Sequence, residues 1–342
     1  MFLNSRQLYK MSKKNTLIIF ILFWGFYLGQ AQDPIFSQFY ASPLIMNPAF
    51  TGNTSLPLIH LNYRNQWSSF PTAYSTYAMS YDQYFEKLNT GIGMQVIVDD
   101  AGAGIYKTNN YSGFFSYRLM INRSLFLKFG VEAGIIQQSL NWSKLIFYNQ
   151  IDPINGIDPN LVSGENQPNE LSHSRLDISS GLLLYSPKYY FGLSLKHINT
   201  PDVSFLNVNN NLAQGWPMRF SLHGGMQITL IERNKRSAGA FISPNVIFVK
   251  QGDFSQLNIG AYGGVGLVFA GVWYRHDVTN SDAAIFSLGF KKKWFKIAYS
   301  YDLTISKLAS QRGGSHELAL TLNFDIDKPK KVDYNDCFEI FR

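Results

Sequence analysis

The sequence predicts an all-β fold, namely a transmembrane outer-membrane β-barrel of about 14 antiparallel strands. Apolar and polar residues alternate over segments of about nine to thirteen residues, which is the length that a membrane-spanning strand needs. Charged and aromatic residues each make up 15% of the chain, whereas a soluble domain usually carries about 25% charged residues. Beyond residue 31, no segment is long and apolar enough to predict a membrane-spanning helix.

The alternation is clear near residues 123–138. Phe129 and Val131 fall on one face of this predicted strand, whereas Lys128 and Glu132 fall on the other. In a membrane barrel the apolar face contacts lipid and the polar face lines the lumen. The other predicted strands lie near residues 56–65, 73–84, 89–99, 105–120, 174–186, 188–198, 217–230, 237–250, 254–267, 270–277, 283–291, 293–302 and 314–325. Pro244 interrupts one of them, which predicts a bulge or an edge at that point.

The connections between the predicted strands differ in length. Those after even-numbered strands are mostly short, such as 121–123, and those after odd-numbered strands are longer, above all 139–173 and 199–216. Outer-membrane barrels have short periplasmic turns and longer outer loops, so we expect both chain termini in the periplasm. Aromatic residues near strand ends are expected to form girdles at the two membrane surfaces: Trp67, Tyr74, Tyr84, Tyr106, Trp142, Tyr189, Trp216 and Trp294.

Residues 1–31 predict a secretory signal peptide, because basic residues precede the apolar run Thr16–Gly29 and small residues follow it. A retained membrane anchor is the alternative, although the run is shorter than the about 20 residues that a span needs. Removal of four basic residues would lower the net charge from +7 to +3, so no basic surface for nucleic acid is predicted. Residues 32–55 are then expected to form an irregular arm or plug, residues 56–325 the barrel, and residues 326–342 a periplasmic tail.

The stretch QDPIFSQFYASPLIMNPAFTG at 32–52 is rich in aromatic residues, and its three prolines exclude a regular helix or a central strand. We expect it to fold into the periplasmic mouth or the lumen of the barrel and to bury its aromatic side chains there: Phe36, Phe39, Tyr40 and Phe50. The alternative is an adhesive arm that docks on a partner protein. Sequence does not separate the two.

No catalytic, cofactor or metal site is predicted. The six histidines lack the spacing of metal ligands. Ser315 and His316 are adjacent, so on a strand they point to opposite faces and cannot pair as nucleophile and base. The polar segment Ile151–Asn160 is expected to be an exposed loop rather than a calcium site. The single cysteine, Cys337, excludes an internal disulfide.

Charged residues are predicted to point into the lumen. A barrel of eight strands is filled by its own side chains and one of sixteen holds a water channel, so about 14 strands leave room for water or a peptide. The predicted lumen charges are Lys128, Glu132, Arg219, Arg275 and Glu317, together with Arg64, Asp82, Lys196, Lys296 and Asp302.

Several motifs carry a resemblance to a known family. The arm with its Asn47-Pro48-Ala49 segment, YRNQW at Tyr63–Trp67 and YDLTISKL at Tyr301–Leu308 together resemble the PorP/SprF family of Bacteroidota outer-membrane proteins. The resemblance covers nearly the whole chain after the signal peptide, although the tail around Cys337 matches only loosely. The residues that it marks as candidates for partner binding or for the plug include Asn47, Pro48, Tyr63, Arg64 and Trp67.

The resemblance implies a non-enzymatic accessory of the type IX secretion system. Such a protein would bind the C-terminal domain of a large secreted adhesin and support its export, surface retention or gliding motility. Its partners would also include other secretion components such as the periplasmic ring, and the basic turns Arg233–Arg236 and Lys291–Lys293 would face them. Two alternatives remain open: a general diffusion porin or small-solute transporter, and an outer-membrane hydrolase.

Overall fold

The computed structural model describes residues 33–54, 56–69, 74–152, 156–158, 161, 163–205, 215–232, 239–277, 280–292, 294–305 and 313–324. The predictions for the signal peptide, for Arg233–Arg236, for Lys293 and for the tail with Cys337 concern residues outside these ranges. Within them, no helix has the length and apolar character needed to cross a membrane.

Nearly all described residues after the arm belong to strands or to their connections. The strands are β1 Leu58–Gln66, β2 Tyr74–Phe85, β3 Thr90–Ala101, β4 Tyr106–Asn122, β5 Leu125–Leu140, β6 Ile151–Asp152, β7 Gly156–Ile157, β8 Ser172–Tyr185, β9 Tyr189–Lys196, β10 Arg219–Met226, β11 Ile228–Ile231, β12 Ala240–Gln251, β13 Phe254–Val265, β14 Val268–Asp277, β15 Asn280–Lys292, β16 Phe295–Thr304 and β17 Ser315–Asn323. The two-residue strands β6 and β7 form a small hairpin in the loop between β5 and β8.

The large sheet is a closed barrel. Every neighbouring pair is antiparallel, and β1 pairs with both β2 and β17, so the first and last strands meet. On the opposite side β10 pairs with β9 and β12. Strand β11 continues β10 after Gln227 and also pairs with β12, so the 15 segments of the sheet form a ring of fourteen strands. Closure leaves no edge strand, as a sheet in lipid requires.

All fourteen predicted strands are confirmed, with ends that differ by a few residues. The prediction at Pro244 was partly wrong, because β12 keeps an unbroken register with β13 through this residue. The interruption lies instead in the other neighbour. Strand β12 pairs with β11 up to Ile242 and with β10 from Asn245 onwards. Pro244 lies in the gap between these two pairings, where no backbone N–H is needed.

Burial alternates along the strands with a period of two. In β5, Val131 on the outer face is 51% exposed, whereas Lys128 and Glu132 on the inner face are fully buried. Among the predicted girdle residues, Tyr189 points outward in β9, and Trp294 is exposed in the turn before β16. Tyr74 is also exposed, but it opens β2 in the inward phase of that strand. The prediction was wrong for Tyr84 and Trp216, which are buried because the former follows the inward phase of β2 and the latter stacks on His197.

The two ends of the barrel differ. One end, called here the short-turn end, carries the connections 86–89, 123–124, 186–188, 232–239, 266–267 and 293–294. The other, the long-loop end, carries 67–73, 102–105, 141–171, 197–218, 252–253, 278–279 and 305–314. The two-residue connections 252–253 and 278–279 at the long-loop end and the eight-residue connection 232–239 at the short-turn end are exceptions to the length rule. Strand β1 begins at the short-turn end.

We expect an arginine on the outer face to be costly only at membrane depth. Val131 in the middle of β5 and Val268 at the first position of β14 are both 51% exposed. Val131→Arg should lower the free energy of unfolding by about 2–4 kcal/mol, and Val268→Arg by about 0–1 kcal/mol, because the cost falls towards the interface. Urea unfolding in lipid vesicles measures both, and equal losses would contradict a lipid-facing β5.

Candidate functional site

The N-terminal arm, defined here as Asp33–Thr54, lies inside the barrel. It forms a 3₁₀ turn at Phe39–Ala41, a short α-helix at Pro43–Met46 and a second 3₁₀ turn at Pro48–Phe50. Each of the last two begins with proline, whose fixed φ and missing N–H suit a first helical position. The Asn47 side chain caps the second turn by accepting the Ala49 N–H at 2.8 Å.

The arm runs through the lumen from one end to the other. Asp33 contacts His197 and Arg219, which border β9 and β10 at the long-loop end. Further along, the Gly52 N–H donates to Asp82 of β2, towards the short-turn end where β1 starts. Residues 36–54 are buried throughout. The arm therefore lies in the lumen, as one form of the prediction had it, and is not confined to the periplasmic mouth. It does not project from the barrel as an adhesive arm.

A charged cluster holds the start of the arm. The Asp33 carboxylate lies 2.9 Å from His197 Nε2 and 2.7 Å from Arg219 Nη1, and His197 Nδ1 lies 2.9 Å from Asp177. Trp216 stacks on the His197 ring at 5.4 Å. Burial would raise the pKa of Asp33, but the charges of His197 and Arg219 outweigh it and hold that pKa far below its usual range.

The same cluster keeps its histidine charged. Burial would lower the pKa of His197, but the two neighbouring carboxylates, Asp33 and Asp177, raise it to about 9. His197 is therefore a cation at neutral pH, between two anions. We call Asp33, Asp177, His197 and Arg219 the mouth cluster.

A second ionic group lies deeper in the lumen. Arg64 donates to Asp302 at 3.0 Å and to Glu317 at 3.1 Å, and Arg275 donates to Asp302 at 2.9 Å. The four side chains come from β1, β14, β16 and β17 and are buried. Opposite charges at these distances are required here, because an unpaired charge in such a site would be very costly.

The arm completes this ionic group. The backbone N–H groups of Ser37 and Gln38 both donate to the Glu317 carboxylate at 2.8 Å. The Ser37 hydroxyl donates to Asp302 at 2.7 Å and accepts from Arg64 at 2.8 Å. Charge-assisted bonds of this kind are stronger than neutral ones. The barrel charges thus bind the arm backbone as well as each other.

Three glycines of the barrel wall make room for the middle of the arm. A Cβ atom at Gly130 would overlap the backbone of Pro48 and Ala49, and one at Gly181 would overlap the Asn47 side chain. A Cβ at Gly91 would overlap the backbone of Thr51. We call Gly91, Gly130 and Gly181 the glycine cradle. In a strand, such glycines mark a close backbone approach.

Asn47 also bonds directly to the barrel wall beside Gly181. Its side-chain amide donates to the carbonyl oxygens of Leu182 at 3.0 Å and Leu193 at 3.1 Å. Lower in the lumen, Lys128 Nζ donates to the carbonyl oxygens of Thr51 at 2.6 Å and Gly52 at 3.0 Å. The stretch from Asn47 to Gly52 is therefore fixed by polar contacts at both ends.

Aromatic contacts fill the remaining space. Phe39 meets Trp273 edge-on at 5.0 Å, and Tyr40 meets Tyr262 at 4.4 Å. Phe50 stacks on His223 at 5.6 Å. Edge-on and offset pairs are favoured by the ring quadrupoles and add to the gain from burial.

The lumen is filled along its whole circumference. One inward side chain from each strand is at most 7% exposed: His60, Ser80, Gln95, Ser116, Lys128, Ser179, Ser194, Ser221, Ser243, Tyr262, Trp273, Ser287, Ser300 and Glu317. An open channel would leave such residues accessible to water. Within the described ranges, no three His, Cys, Asp or Glu side chains are grouped as a metal ion would require.

The candidate residues taken from the sequence divide into two sets. The arm residues are buried in the lumen, as are all the predicted lumen charges: Phe36, Phe39, Tyr40, Asn47, Pro48, Phe50, Arg64, Lys128, Glu132, Arg219, Arg275 and Glu317. Glu132 pairs with Lys196 at 3.0 Å. Tyr63 does not join them, because it lies on the outer face against Tyr77 at 4.9 Å. Trp67 follows β1 and meets Tyr74 edge-on at 5.3 Å.

Sequence reasoning missed several residues that hold the arm. They are Asp33, Ser37, Gln38, Asp177 and His197, together with the glycine cradle. A glycine in an alternating strand is the one feature that could have pointed to the cradle. No local pattern marks Asp33.

A surface pocket of about 480 Å³ lies at the long-loop end. It is lined by Lys107, Trp142, Gln167 and Leu171, among others, from β4 and the 141–171 loop. Apolar residues elsewhere in the same loop are exposed: Ile146 at 53%, Tyr148 at 91% and Ile157 at 56%. An apolar group exposed in a water-facing loop is a common mark of an interaction site.

A comparison with protein families matches residues 28–322 to the family described as type IX secretion system membrane protein PorP/SprF. The chain belongs to the PorP/SprF family. The family and the closed barrel together place this PorP/SprF protein in the outer membrane. A search of curated proteins found no match.

Solved structures similar to this PorP/SprF chain are barrels of low sequence identity. A Pseudomonas aeruginosa FadL homologue is 11% identical, with 81% of this chain and 93% of that chain covered and a TM-score of 0.40. A deletion mutant of the monoaromatic hydrocarbon channel TodX is 10% identical, with 82% and 93% covered and a TM-score of 0.45. At these values the likeness carries no argument about function.

Removal of one buried charge should destabilise this PorP/SprF barrel strongly. Arg64→Ala removes the cation that pairs with Glu317 and leaves Arg275 to pair with Asp302, so we expect a loss of about 3–5 kcal/mol in the free energy of unfolding. Lys107→Ala is the control. Its partner Asp100 is 3.6 Å away and both side chains are partly exposed, so the loss should be about 1 kcal/mol or less. Urea unfolding monitored by gel mobility compares them, and similar losses would contradict the buried ionic group.

A side chain in the glycine cradle should expel the middle of the arm. Gly130→Leu overlaps Pro48 and Ala49, and overpacking of this kind costs about 1–3 kcal/mol or more. Gly113→Leu is the matched control, because Gly113 lies on the exposed outer face of β4 with no close neighbour. Planar-bilayer recordings should detect ion conductance only for Gly130→Leu. A silent but folded Gly130→Leu barrel would show that the arm does not close the lumen.

Proposed function

We propose that this PorP/SprF protein is a non-conducting, non-enzymatic accessory of the type IX secretion system. It binds the C-terminal domain of a secreted adhesin at the outer membrane and supports the export, the surface retention or the gliding function of that adhesin. The filled lumen is the observation that carries this proposal. A barrel whose interior is occupied by its own arm is suited to present surfaces to other proteins rather than to pass solutes.

The cargo docks at the long-loop end in this proposal. The 141–171 loop offers the exposed apolar residues Ile146, Tyr148 and Ile157 and a pocket lined by Trp142, which are features that a folded domain can cover. Ring components would contact the opposite end. Lys291 and Lys292 are the last two residues of β15, at the short-turn end. They belong to the basic turn Lys291–Lys293, which the sequence predicts to face periplasmic partners. The arm does not serve such partners, because the lumen encloses it.

The alternatives receive less support. A general porin or small-solute transporter needs a water-filled path, whereas inward side chains of every strand are buried here. A hydrolase needs a nucleophile and a base on one face. Ser315 is buried on the lumen side, and His316 lies on the outer face, where the Tyr299 hydroxyl contacts its Nδ1 at 2.7 Å.

A pull-down tests the cargo proposal. Tagged protein is recovered from outer membranes in mild detergent, and co-purified proteins are measured by mass spectrometry. Ile146→Asp alters an exposed apolar residue at the long-loop end, and Leu88→Asp alters one, 65% exposed, at the short-turn end. We expect the wild type and Leu88→Asp to recover a large secreted protein with a type IX C-terminal domain, and Ile146→Asp to lose it.

Two outcomes would count against the proposal. Equal cargo recovery by both variants would move the docking surface away from the 141–171 loop. A wild-type barrel that carries neither cargo nor other secretion components, and that conducts ions in planar bilayers, would favour the porin.

A further inference from the structure

The arm changes its exposure at the mouth of the long-loop end. Asp33, Pro34 and Ile35 are partly exposed, whereas every residue from Phe36 to Thr54 is buried. The partners of Asp33 are all found at this end: His197 follows β9, Arg219 opens β10 and Gln251 closes β12. The arm therefore emerges from the lumen at the end opposite to the one where it joins β1.

The orientation of the barrel in the membrane decides on which side the start of the arm lies. Outer-membrane barrels keep their short turns in the periplasm and their long loops outside the cell. Strand β1, and with it the lower end of the arm, begins at the short-turn end. We infer that the arm crosses the whole membrane inside the barrel and that Asp33–Ile35 form part of the cell-surface mouth of the protein. This position replaces the periplasmic one that strand parity alone predicts for the N-terminal side of the chain.

The mouth cluster is suited to keep the arm in this position. The Asp33 carboxylate pairs with His197 after β9 and with Arg219 at the start of β10, and the Asp33 N–H donates to Gln251 at 3.0 Å. Residues deeper in the arm are held separately by Glu317 and by the glycine cradle. The arm is thus fixed at its two ends and in the middle, which a segment that slides in and out of the barrel would not need.

The inference adds a surface to the protein. The cell-surface mouth would consist of the long loops together with the first residues of the arm. Residues that precede β1 in the sequence would then be accessible from outside the cell. The inference does not depend on cargo binding.

Cysteine labelling in the full-length protein tests it. In a Cys337→Ser background, Pro34→Cys places a thiol at the mouth. Tyr148→Cys and Leu88→Cys, at positions that are 91% and 65% exposed, mark the long-loop and short-turn ends. Thr54→Cys, in the buried lower part of the arm, is the matched arm control. A membrane-impermeant maleimide is applied to intact cells and again after permeabilisation.

We expect Pro34→Cys and Tyr148→Cys to be labelled in intact cells, Leu88→Cys only after permeabilisation, and Thr54→Cys only after unfolding. Labelling of Pro34→Cys only together with Leu88→Cys after permeabilisation would overturn the inference, as would labelling of Leu88→Cys in intact cells. Protection of Pro34→Cys until unfolding would also overturn it. Gel mobility checks that each variant is folded, and Ile35→Cys replaces Pro34→Cys if the latter is not.

Discussion

A fourteen-strand barrel encloses more space than its own inward side chains can fill. Smaller barrels close their interior with side chains and larger ones hold water, so this one needs an additional occupant or remains wet. The arm is that occupant. Its irregular shape follows from the shape of the space, since a straight helix or strand would leave gaps on one side, and three short turns started or separated by proline and asparagine follow the wall more closely.

Filling the lumen excludes water and so changes what the inward charges must do. Side chains that would be solvated in a porin are here buried, and each charge needs a partner. Arg64, Asp302 and Glu317 meet this need among themselves and through the arm backbone. The mouth cluster meets it at the upper end of the arm. The polar lumen therefore contributes to the stability of the fold instead of lining a route for solutes.

Local patterns predicted the barrel well and the site only in part. Alternation is a property of each strand and is written in neighbouring residues, so the strand number and the lumen charges could be predicted. The direction of the arm could not, because it depends on pairs such as Asp33 with His197, which are 164 residues apart. Tyr84 and Trp216 failed as girdle residues because position near a strand end does not decide which face a side chain takes.

The glycine cradle makes the arm and the wall a matched pair. Glycine at 91 and 130 fits an occupant whose backbone approaches the strands at Thr51 and Ala49, and glycine at 181 leaves room for the Asn47 side chain. No bulkier wall residue is compatible with that path. An arm transplanted from a related barrel would enter this lumen only if its own turns met the same three gaps. Chimeras between relatives should accordingly exchange the first 54 residues and strands β3, β5 and β8 as a unit, although these segments are far apart in the sequence.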